Sequence, residues 1–144
     1  MIRLKRLSET AQVPTRGSRD AAGLDLYADI QEEVIIYPGE RVPISTGWAM
    51  QIPYGCAGYI FARSGKACKQ GVRPSNCVGV IDPDYRGEVI VNLTCDDKDP
   101  QKVQPGERIA QLIILHHEMM PVEEVEQLDP TDRDNGGFGS SGQF

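Results

Sequence analysis

The chain has 144 residues, of which 40% are hydrophobic and 25% are charged, and its net charge at pH 7 is −6. These values indicate one compact globular domain with a real core. The acidic balance argues against non-specific binding of nucleic acid, which depends on Lys and Arg contacts to phosphates. No apolar run approaches the ~20 residues of a membrane-spanning helix, and the first residues lack the apolar segment of a signal peptide, so we expect a cytoplasmic protein.

Short apolar or alternating runs recur along the chain and predict β-strands. Pro-Gly pairs separate several of them, as at residues 38–39 and 105–106, where Gly at positive φ suits a type II turn. Only residues 63–70 could form a short helix. The pattern predicts an all-β sandwich or barrel with at most one short helix. The predicted strands are residues 2–7, 24–28, 34–37, 46–52, 57–62, 77–81, 89–94, 108–115 and 122–125.

The cysteines are spread along the chain without a CxxC pair, which argues against a structural zinc site. Each lies in or beside an apolar run, so we expect all of them to be reduced, packed thiols, and a disulfide is the less favoured alternative. They are Cys56, Cys68, Cys77 and Cys95.

The composition changes after Leu128. Residues 129–144, DPTDRDNGGFGSSGQF, are rich in Gly, Ser and Asp and nearly free of apolar side chains, so they cannot bury enough surface to order themselves. We therefore divide the chain into a β domain, a sandwich or barrel, over residues 1–128 and a flexible tail over residues 129–144. Arg133 and Phe138 stand among the glycines, although a solvated tail does not need them.

The segment GVIDPDYRGEVIV, residues 79–91, places two acids and one aromatic where the chain reverses. Asp82, followed by Pro and Asp, suits a tight turn and Gly87 suits a left-handed backbone, so these residues alone favour an ordinary hairpin. Two features point to a site instead. Tyr85 is a large ring for a turn, and Asp82 follows an apolar run, which predicts a partly buried carboxylate. A desolvated carboxylate beside a cleft can act as a general base.

A second candidate site follows the predicted strand over residues 57–62. Gly65 would let backbone N–H groups converge on one point, Ser64 adds a hydroxyl, and Arg63 adds a planar cationic fork suited to phosphate oxygens. The segment lacks the Walker pattern. A capped short helix explains it equally well, so both interpretations stay open.

Asp25 and Gln111 are polar side chains inside apolar strand patterns. The simpler interpretation places both on the solvent face of a sheet. Alternatively, Asp25 could hold the hydration shell of Mg²⁺, which keeps several waters when carboxylates and substrate phosphates bind it.

Five segments in this order resemble the five motifs of the trimeric deoxyuridine triphosphate nucleotidohydrolases (dUTPases), over nearly the whole chain. They are AAGLDLYA (residues 21–28), ARSGKA (62–67), GVIDPDYRGEV (79–89), PGERIAQLII (105–114) and RDNGGFGSSG (133–142). The resemblance implies a jelly-roll-like β barrel that forms a homotrimer, with three active sites at subunit interfaces. It also implies hydrolysis of dUTP between the α and β phosphates to dUMP and pyrophosphate, with Mg²⁺ as cofactor. This reaction keeps uracil out of DNA and supplies dUMP for dTMP synthesis.

The resemblance also implies roles for individual residues. Asp82 would orient and deprotonate the attacking water, and Tyr85 would pack on the deoxyribose and exclude a ribose 2′-hydroxyl. Asp25 and Gln111 would contact waters of the Mg²⁺ shell. The other implied substrate-binding residues are Arg63, Ser64 and Gly65 at the phosphates; Asn76, Gly79, Val80, Ile81 and Ile90 at the base; and, in a lid formed by the tail, Arg133, Gly137, Gly139, Ser140 and Ser141, with Phe138 stacked on uracil.

Two rival functions remain. A deoxycytidine triphosphate deaminase shares the fold, but its catalytic Glu aligns with Asn92 here and its Arg-Ser-Ser aligns with residues 63–65, so both positions favour the dUTPase. A non-catalytic nucleotide sensor on the same scaffold is a rival from another class, and the intact Asp82 argues against lost activity. The family usually has Gly where this chain has Asp134, which leaves the details of lid closure open.

Overall fold

The computed structural model describes residues 1–76 and 78–137 and consists mainly of β-strands. It confirms the predicted all-β fold with one short helix. Among the described residues no helix has the length and apolar character needed to cross a bilayer. In chain order the elements are β1 (Arg3–Arg6), β2 (Leu24–Tyr27), β3 (Val34–Ile36), β4 (Arg41–Gln51), β5 (Cys56–Phe61), α1 (Ser64–Gln70), β6 (Val72–Pro74), β7 (Gly79–Ile81), β8 (Glu88–Cys95), β9 (Gln101–Val103) and β10 (Arg108–His116).

Two four-stranded antiparallel sheets build the jelly-roll-like barrel, in the orders β1-β4-β8-β6 and β2-β10-β5-β7, and β3 pairs with β9 beside them. Residues of both sheets share one hydrophobic core. Strand β8 shows how the sequence selects these faces: Val89, Val91 and Leu93 are buried, while Ile90 and Asn92 are exposed. Alternate side chains of a strand point to opposite faces, so β8 has one face in the core and the other available to a site.

Strand β4 carries a bulge opposite the start of β8. The register moves from Ser45 opposite Ile90 to Ala49 opposite Glu88, which is four residue steps in β4 against two in β8. Gly47 lies in this bulge at φ 69°, a left-handed conformation that favours glycine. The amide of a bulged residue loses its partner in the strand ladder and needs another acceptor.

The strand predicted at residues 122–125 is wrong. No strand forms there in the described chain, and Val122 and Val125 are both exposed, because no neighbouring strand pairs with this segment. Conversely, the sequence did not predict β6 or β9. These three-residue strands have no long apolar run, and their pairing with β8 and β3 defines them instead.

The cysteine prediction holds for two of the three described thiols. Cys56 and Cys95 are free and buried. Cys68 is free but exposed on α1, so the expectation of a packed thiol is wrong there. Cys77 lies outside the described residues.

Candidate active site

Strands β7 and β8 and the turn between them enclose a pocket of about 330 Å³. Its volume lies in the range of small-molecule sites. The structure brings together here the residues that were predicted for catalysis and for contacts to the sugar and base. The pocket is lined by the predicted Asn76, Gly79, Val80, Ile81, Asp82, Tyr85 and Ile90, and also by Ile60, Pro74, Glu88, Val91 and Asn92.

The turn presents Asp82 and Tyr85 to this pocket. The Tyr85 N–H donates to the Asp82 carbonyl at 3.2 Å, which closes a four-residue turn. Asp82 is exposed, so the expectation of a partly buried carboxylate is wrong; β7 ends at Ile81, and the turn carries the next side chain beyond the apolar strand. No described residue donates a hydrogen bond to the Asp82 carboxylate, so its oxygens are available to a water molecule.

The Tyr85 ring lies against Gly87. Tyr85 Oη donates to the Glu88 carbonyl at 3.0 Å, and a Cβ built on Gly87 would lie 2.6 Å from Tyr85 Cζ. Glycine at this position therefore makes room for the ring. The left-handed backbone expected at Gly87 is wrong, since the described glycines at positive φ are residues 39, 47, 55, 71 and 106.

The base side of the pocket offers backbone hydrogen-bonding groups. Among the described strands, β7 is the outer strand of its sheet and pairs only with β5. Alternate N–H and C=O groups on its free edge therefore have no ladder partner among those strands. Val80 and Ile90 are exposed apolar side chains in the same pocket. Asn76 lies close by, because a Cβ on Gly79 would be 3.3 Å from Asn76 Nδ2.

A second pocket, of about 430 Å³, lies at the other edge of the same sheet, beside β2 and the start of α1. It contains every residue of the first, second and fourth motifs that was predicted to contact the phosphates or the waters around magnesium. The lining consists of Gly17, Ala21, Ala22, Gly23, Asp25, Arg63, Ser64, Gly65, Arg108 and Gln111.

Asp25 is the centre of this second pocket. It is buried, so the expectation of a solvated residue on an outer sheet face is wrong. Arg63 Nε donates to Asp25 Oδ1 at 2.8 Å, and Arg108 Nη1 donates to Oδ2 at 3.3 Å. The two guanidinium groups compensate the desolvation of the carboxylate. Two positive charges against one negative charge leave the pocket positive, although the whole chain is acidic.

Gln111 is partly buried in this pocket, so its predicted place on a solvent face is also wrong. Gln111 Nε2 donates to the Ala62 carbonyl at 2.9 Å, which fixes the orientation of the amide. A Cβ on Gly23 would lie 3.0 Å from Gln111 Oε1. Gly23 therefore leaves the space that the amide oxygen occupies.

One of the two interpretations of residues 63–70 predicted a capped short helix, and helix α1 forms there. Arg63 at its N-cap makes no side-chain capping hydrogen bond. The first helical bond runs from the Ala67 N–H to the Arg63 carbonyl at 2.9 Å. The N–H groups of Ser64, Gly65 and Lys66 precede it and have no partner within the helix. Because Ser64 and Gly65 are exposed and line the second pocket, helix formation and a phosphate cradle are compatible.

Within the part of the chain that the structure describes, the two pockets share no lining residue. In the register of β5 and β7, Ile81 lies opposite Gly58, so Asp82 follows at the level of Ala57, six residues before Arg63. At about 3.3 Å per residue, this spacing puts the backbones of Asp82 and Arg63 about 20 Å apart along the sheet direction in one chain. This separation exceeds the length of a triphosphate group.

The dUTPase family model matches residues 9–142 of this chain. The chain belongs to the dUTPase family. It is 45% identical over 141 residues to the deoxyuridine 5′-triphosphate nucleotidohydrolase of Syntrophotalea carbinolica, covering 98% of this chain and 96% of that protein. It is also 45% identical over 142 residues to the protein of the same name from Nocardia farcinica, covering 98% and 85%. Among solved structures, a mutant dUTPase of Staphylococcus bacteriophage 80alpha with dUpNHpp has a TM-score of 0.86 at 28% identity, covering 99% of this chain and 98% of that one.

The fifth dUTPase motif begins with a local turn. Arg133 Nε donates to the Gly136 carbonyl at 2.9 Å, and the Gly136 N–H donates to the Arg133 carbonyl at 2.9 Å. Between them Asp134 has φ 44°, in the left-handed region that glycine enters freely and aspartate tolerates. A glycine at this position would adopt the conformation without strain. Gly137 is the last described residue, and the predicted Phe138, Gly139, Ser140 and Ser141 lie outside the described residues.

The structure adds two charged residues to the described linings of these pockets that were not predicted in this dUTPase chain. Strict alternation would put Arg108 and Gln111 on opposite faces of β10, but the register shifts between Arg108 and Ala110, which brings both side chains to one pocket. Glu88 lines the hairpin pocket at the start of β8. Its only signal in the sequence is its place directly after the turn glycine.

Proposed function

We propose that this protein hydrolyses dUTP to dUMP and pyrophosphate, with water as the nucleophile and Asp82 as the general base. The observation that carries this proposal is an exposed Asp82 carboxylate that accepts no hydrogen bond from the described residues and that lines the same nucleoside-sized pocket as Tyr85. Such a carboxylate can accept a proton from water, and the ring offers a flat apolar surface to a sugar. Membership of the dUTPase family supports dUTP as the nucleotide.

In the proposed step, the water oxygen attacks the α phosphorus while Asp82 takes one of the water protons. The bond from the α phosphorus to the oxygen that bridges to the β phosphate breaks, and pyrophosphate leaves with that oxygen and its electron pair. This chemistry needs positioning and charge neutralisation more than covalent catalysis. Arg63 supplies positive charge, and Ser64 and Gly65 supply O–H and N–H donors to the phosphate oxygens.

Mg²⁺ would enter with the triphosphate as part of the substrate. Within the described residues no group of three or more His, Cys, Asp or Glu side chains could hold a metal ion, and both Asp25 oxygens already accept hydrogen bonds from arginines. A carboxylate has further lone pairs, so Asp25 and Gln111 Oε1 can accept hydrogen bonds from waters around the ion. When bound, Mg²⁺ neutralises charge on the phosphate oxygens.

The hairpin pocket would select both base and sugar. Backbone groups of Gly79, Val80 and Ile81 on the free edge of β7, with Ile90 across the pocket and Asn76 beside it, would match the donor and acceptor pattern of uracil. Cytosine presents an amino donor where uracil presents a carbonyl acceptor, and such a mismatch leaves buried groups unpaired. Tyr85 would exclude the 2′-hydroxyl of a ribose by packing on the deoxyribose.

The active site would be shared between chains of a homotrimer. The separation of Asp82 from Arg63 within one chain supports this, because one dUTP needs both residues. In a closed three-fold assembly each site can take its hairpin from one subunit and its phosphate pocket from the next.

Subunit complementation tests the shared site. Asp82→Asn and Arg63→Ala should each be inactive, whereas a 1:1 mixture refolded together should regain about a quarter of the wild-type sites, by random assembly of subunits into closed rings. A mixture as inactive as its components would contradict the shared site. Co-refolded wild type and Asp82→Asn provide the control for the refolding yield.

We further propose that residues 1–128 form the barrel domain and that residues 129–144 act as its lid. In the lid, Arg133, Ser140 and Ser141 would contact the γ phosphate, and Phe138 would stack on uracil between the small residues Gly137 and Gly139. Aromatic stacking on a base contributes ~1–3 kcal/mol, enough to help hold such a segment. Deletion after Leu128 should preserve the oligomer and sharply lower kcat/KM, and unchanged activity would remove the lid from the mechanism.

Asp82→Asn tests the central role in this proposal. The amide keeps the size of the side chain but cannot take a proton, so the variant should bind dUTP in calorimetry while its hydrolysis is nearly abolished. Asp84→Asn, which changes the other acid of the same turn, is the matched control and should retain activity. Full turnover by Asp82→Asn would exclude Asp82 as the base.

We also propose a cytoplasmic location. The free thiols of Cys56, Cys68 and Cys95 are consistent with a reducing compartment. Localisation of a fluorescent fusion in the source cell would test it.

A further inference from the structure

Glu88 lies in the hairpin pocket, but the reaction proposed above gives it no role. Its carboxylate is held by the bulge of β4: Glu88 Oε1 accepts hydrogen bonds from the Ser45 hydroxyl and from the Gly47 N–H, the latter at 2.9 Å. The bulge leaves this amide without a partner in the strand ladder. Glu88 therefore supplies the acceptor that the bulge requires, and a carboxylate is a strong one.

The backbone of the same residue holds Tyr85. Tyr85 Oη donates to the Glu88 carbonyl at 3.0 Å, and the ring packs against Gly87 between the two. One residue thus connects the rigid bulge of β4 to the aromatic ring of the turn. Any displacement of the Glu88 backbone moves the acceptor that fixes the Tyr85 hydroxyl.

We propose that Glu88 is a positioning residue that fixes the Tyr85 ring and thereby sets the preference for deoxyribose over ribose. This inference rests on the proposed function, because that function assigns Tyr85 to the sugar. A ring held at one place leaves no room for a 2′-hydroxyl, whereas a ring free to swing towards solvent admits it. Tyr85 is 43% exposed, so packing alone does not hold the ring in place.

The test compares kcat/KM for dUTP and UTP in Glu88 variants of the whole protein. Glu88→Ala removes both side-chain hydrogen bonds, and its dUTP to UTP preference should fall by about tenfold, as expected for the loss of two hydrogen bonds. Glu88→Gln keeps Oε1 as an acceptor and should restore most of the wild-type preference. Ser45→Ala removes one of the two bonds, so it should show a smaller fall even if Glu88→Ala does not fold.

Thr46→Val is the matched control for a purely structural effect. Thr46 Oγ1 donates to the Val89 carbonyl at 2.6 Å in the same bulge without touching Glu88. This variant should lower Tm and leave the preference unchanged. A Glu88→Ala or Ser45→Ala protein that behaves like Thr46→Val would overturn the inference.

A double-mutant cycle separates positioning from an independent effect. Tyr85→Phe and Glu88→Ala break the same chain of contacts, so their effects on the preference should be less than additive. Fully additive effects would overturn the inference. If the wild-type protein hydrolyses dUTP and the Glu88 variants keep the wild-type preference for dUTP over UTP, only the role of Glu88 is refuted. A wild-type protein that does not hydrolyse dUTP refutes the proposed function itself.

Discussion

Replacing Asp25 by Asn tests the phosphate pocket, because the carboxylate joins both of its arginines. In the wild type, Arg63 Nε lies 2.8 Å from Oδ1 and Arg108 Nη1 lies 3.3 Å from Oδ2. The Asn oxygen can keep the closer bond, while its NH₂ group then faces Arg108 as a second donor. The negative charge between two guanidinium groups is lost.

The effect on stability follows from the exposure of these side chains. Those of Arg63 and Arg108 are 31% and 49% exposed, and that of Asp25 is 11% exposed. The half-exposed Arg108 pair is screened by solvent and contributes at most ~1 kcal/mol. A charge-assisted bond such as the one to Arg63 contributes ~1.5–3 kcal/mol, of which the amide retains a part. We expect the free energy of unfolding to fall by about 1–2 kcal/mol in urea titrations.

The effect on activity should be larger and should appear in kcat. Removing the carboxylate makes the pocket more positive, so binding of the triphosphate should be retained or strengthened. Arg108 and the waters around Mg²⁺ lose their orientation, and a misplacement of about 1 Å can cost on the order of 100-fold in rate. We therefore expect kcat to fall on the order of 100-fold, with KM unchanged or lower.

Steady-state pyrophosphate release over a range of Mg²⁺ concentrations measures both constants. Asp20→Asn, which removes an exposed carboxylate from the loop before β2, is the matched control for the change of charge and should behave like wild type. A raised KM with unchanged kcat in Asp25→Asn would refute the reasoning, because it would mean that Asp25 contributes only to uniform binding.

Other substitutions test single contacts. Gly87→Ala would push its Cβ into the Tyr85 ring, 2.6 Å from Cζ. Because the half-exposed ring can swing away, the free energy of unfolding should fall by only ~1 kcal/mol, while the dUTP to UTP preference should drop. An unchanged preference in parallel assays would contradict the packing. Asp134→Gly removes a charge that the proposed lid would bring near the triphosphate, and glycine suits φ 44°. KM for dUTP should therefore fall about fivefold, as for ~1 kcal/mol of repulsion; a higher KM would oppose this. The Lys102 hydrogen bond lowers the pKa of the exposed Glu33 carboxylate, so this pair stabilises the fold above the unfolded pKa and loses its effect as pH falls through the folded pKa. Lys102→Met should return the Glu33 pKa towards its ordinary value in an NMR titration, and no change would exclude the pair as the cause.

The sequence predicted those elements whose structure follows from local pattern. Strand β8 alternates buried and exposed residues, and α1 begins where the sequence placed a short helix. Strands β6 and β9 could not be predicted, since three residues carry no period and only their partners define them. The valines at residues 122–125 fit the sequence pattern of a strand, but no strand of the described chain pairs with them.

The motifs indicated which described residues lie together in each pocket, but not the environment of those residues. Asp25 was expected to be solvated because alternation along β2 predicts that one face of the strand contacts solvent. In the structure Arg63 and Arg108 cover that face. Arg108 itself was hidden by the register shift in β10. The roughly 20 Å between Asp82 and Arg63 depends on strand pairing, which motif order along the chain does not reveal.

The most direct test of the account is pyrophosphate release by the wild-type protein from dUTP, dTTP, dCTP and UTP, each with and without Mg²⁺. The products of dUTP and dCTP should be separated chromatographically in the same experiment. We predict Mg²⁺-dependent formation of dUMP and pyrophosphate from dUTP, and little release from the other three nucleotides. Ammonia release from dCTP with dUTP left intact would contradict the account.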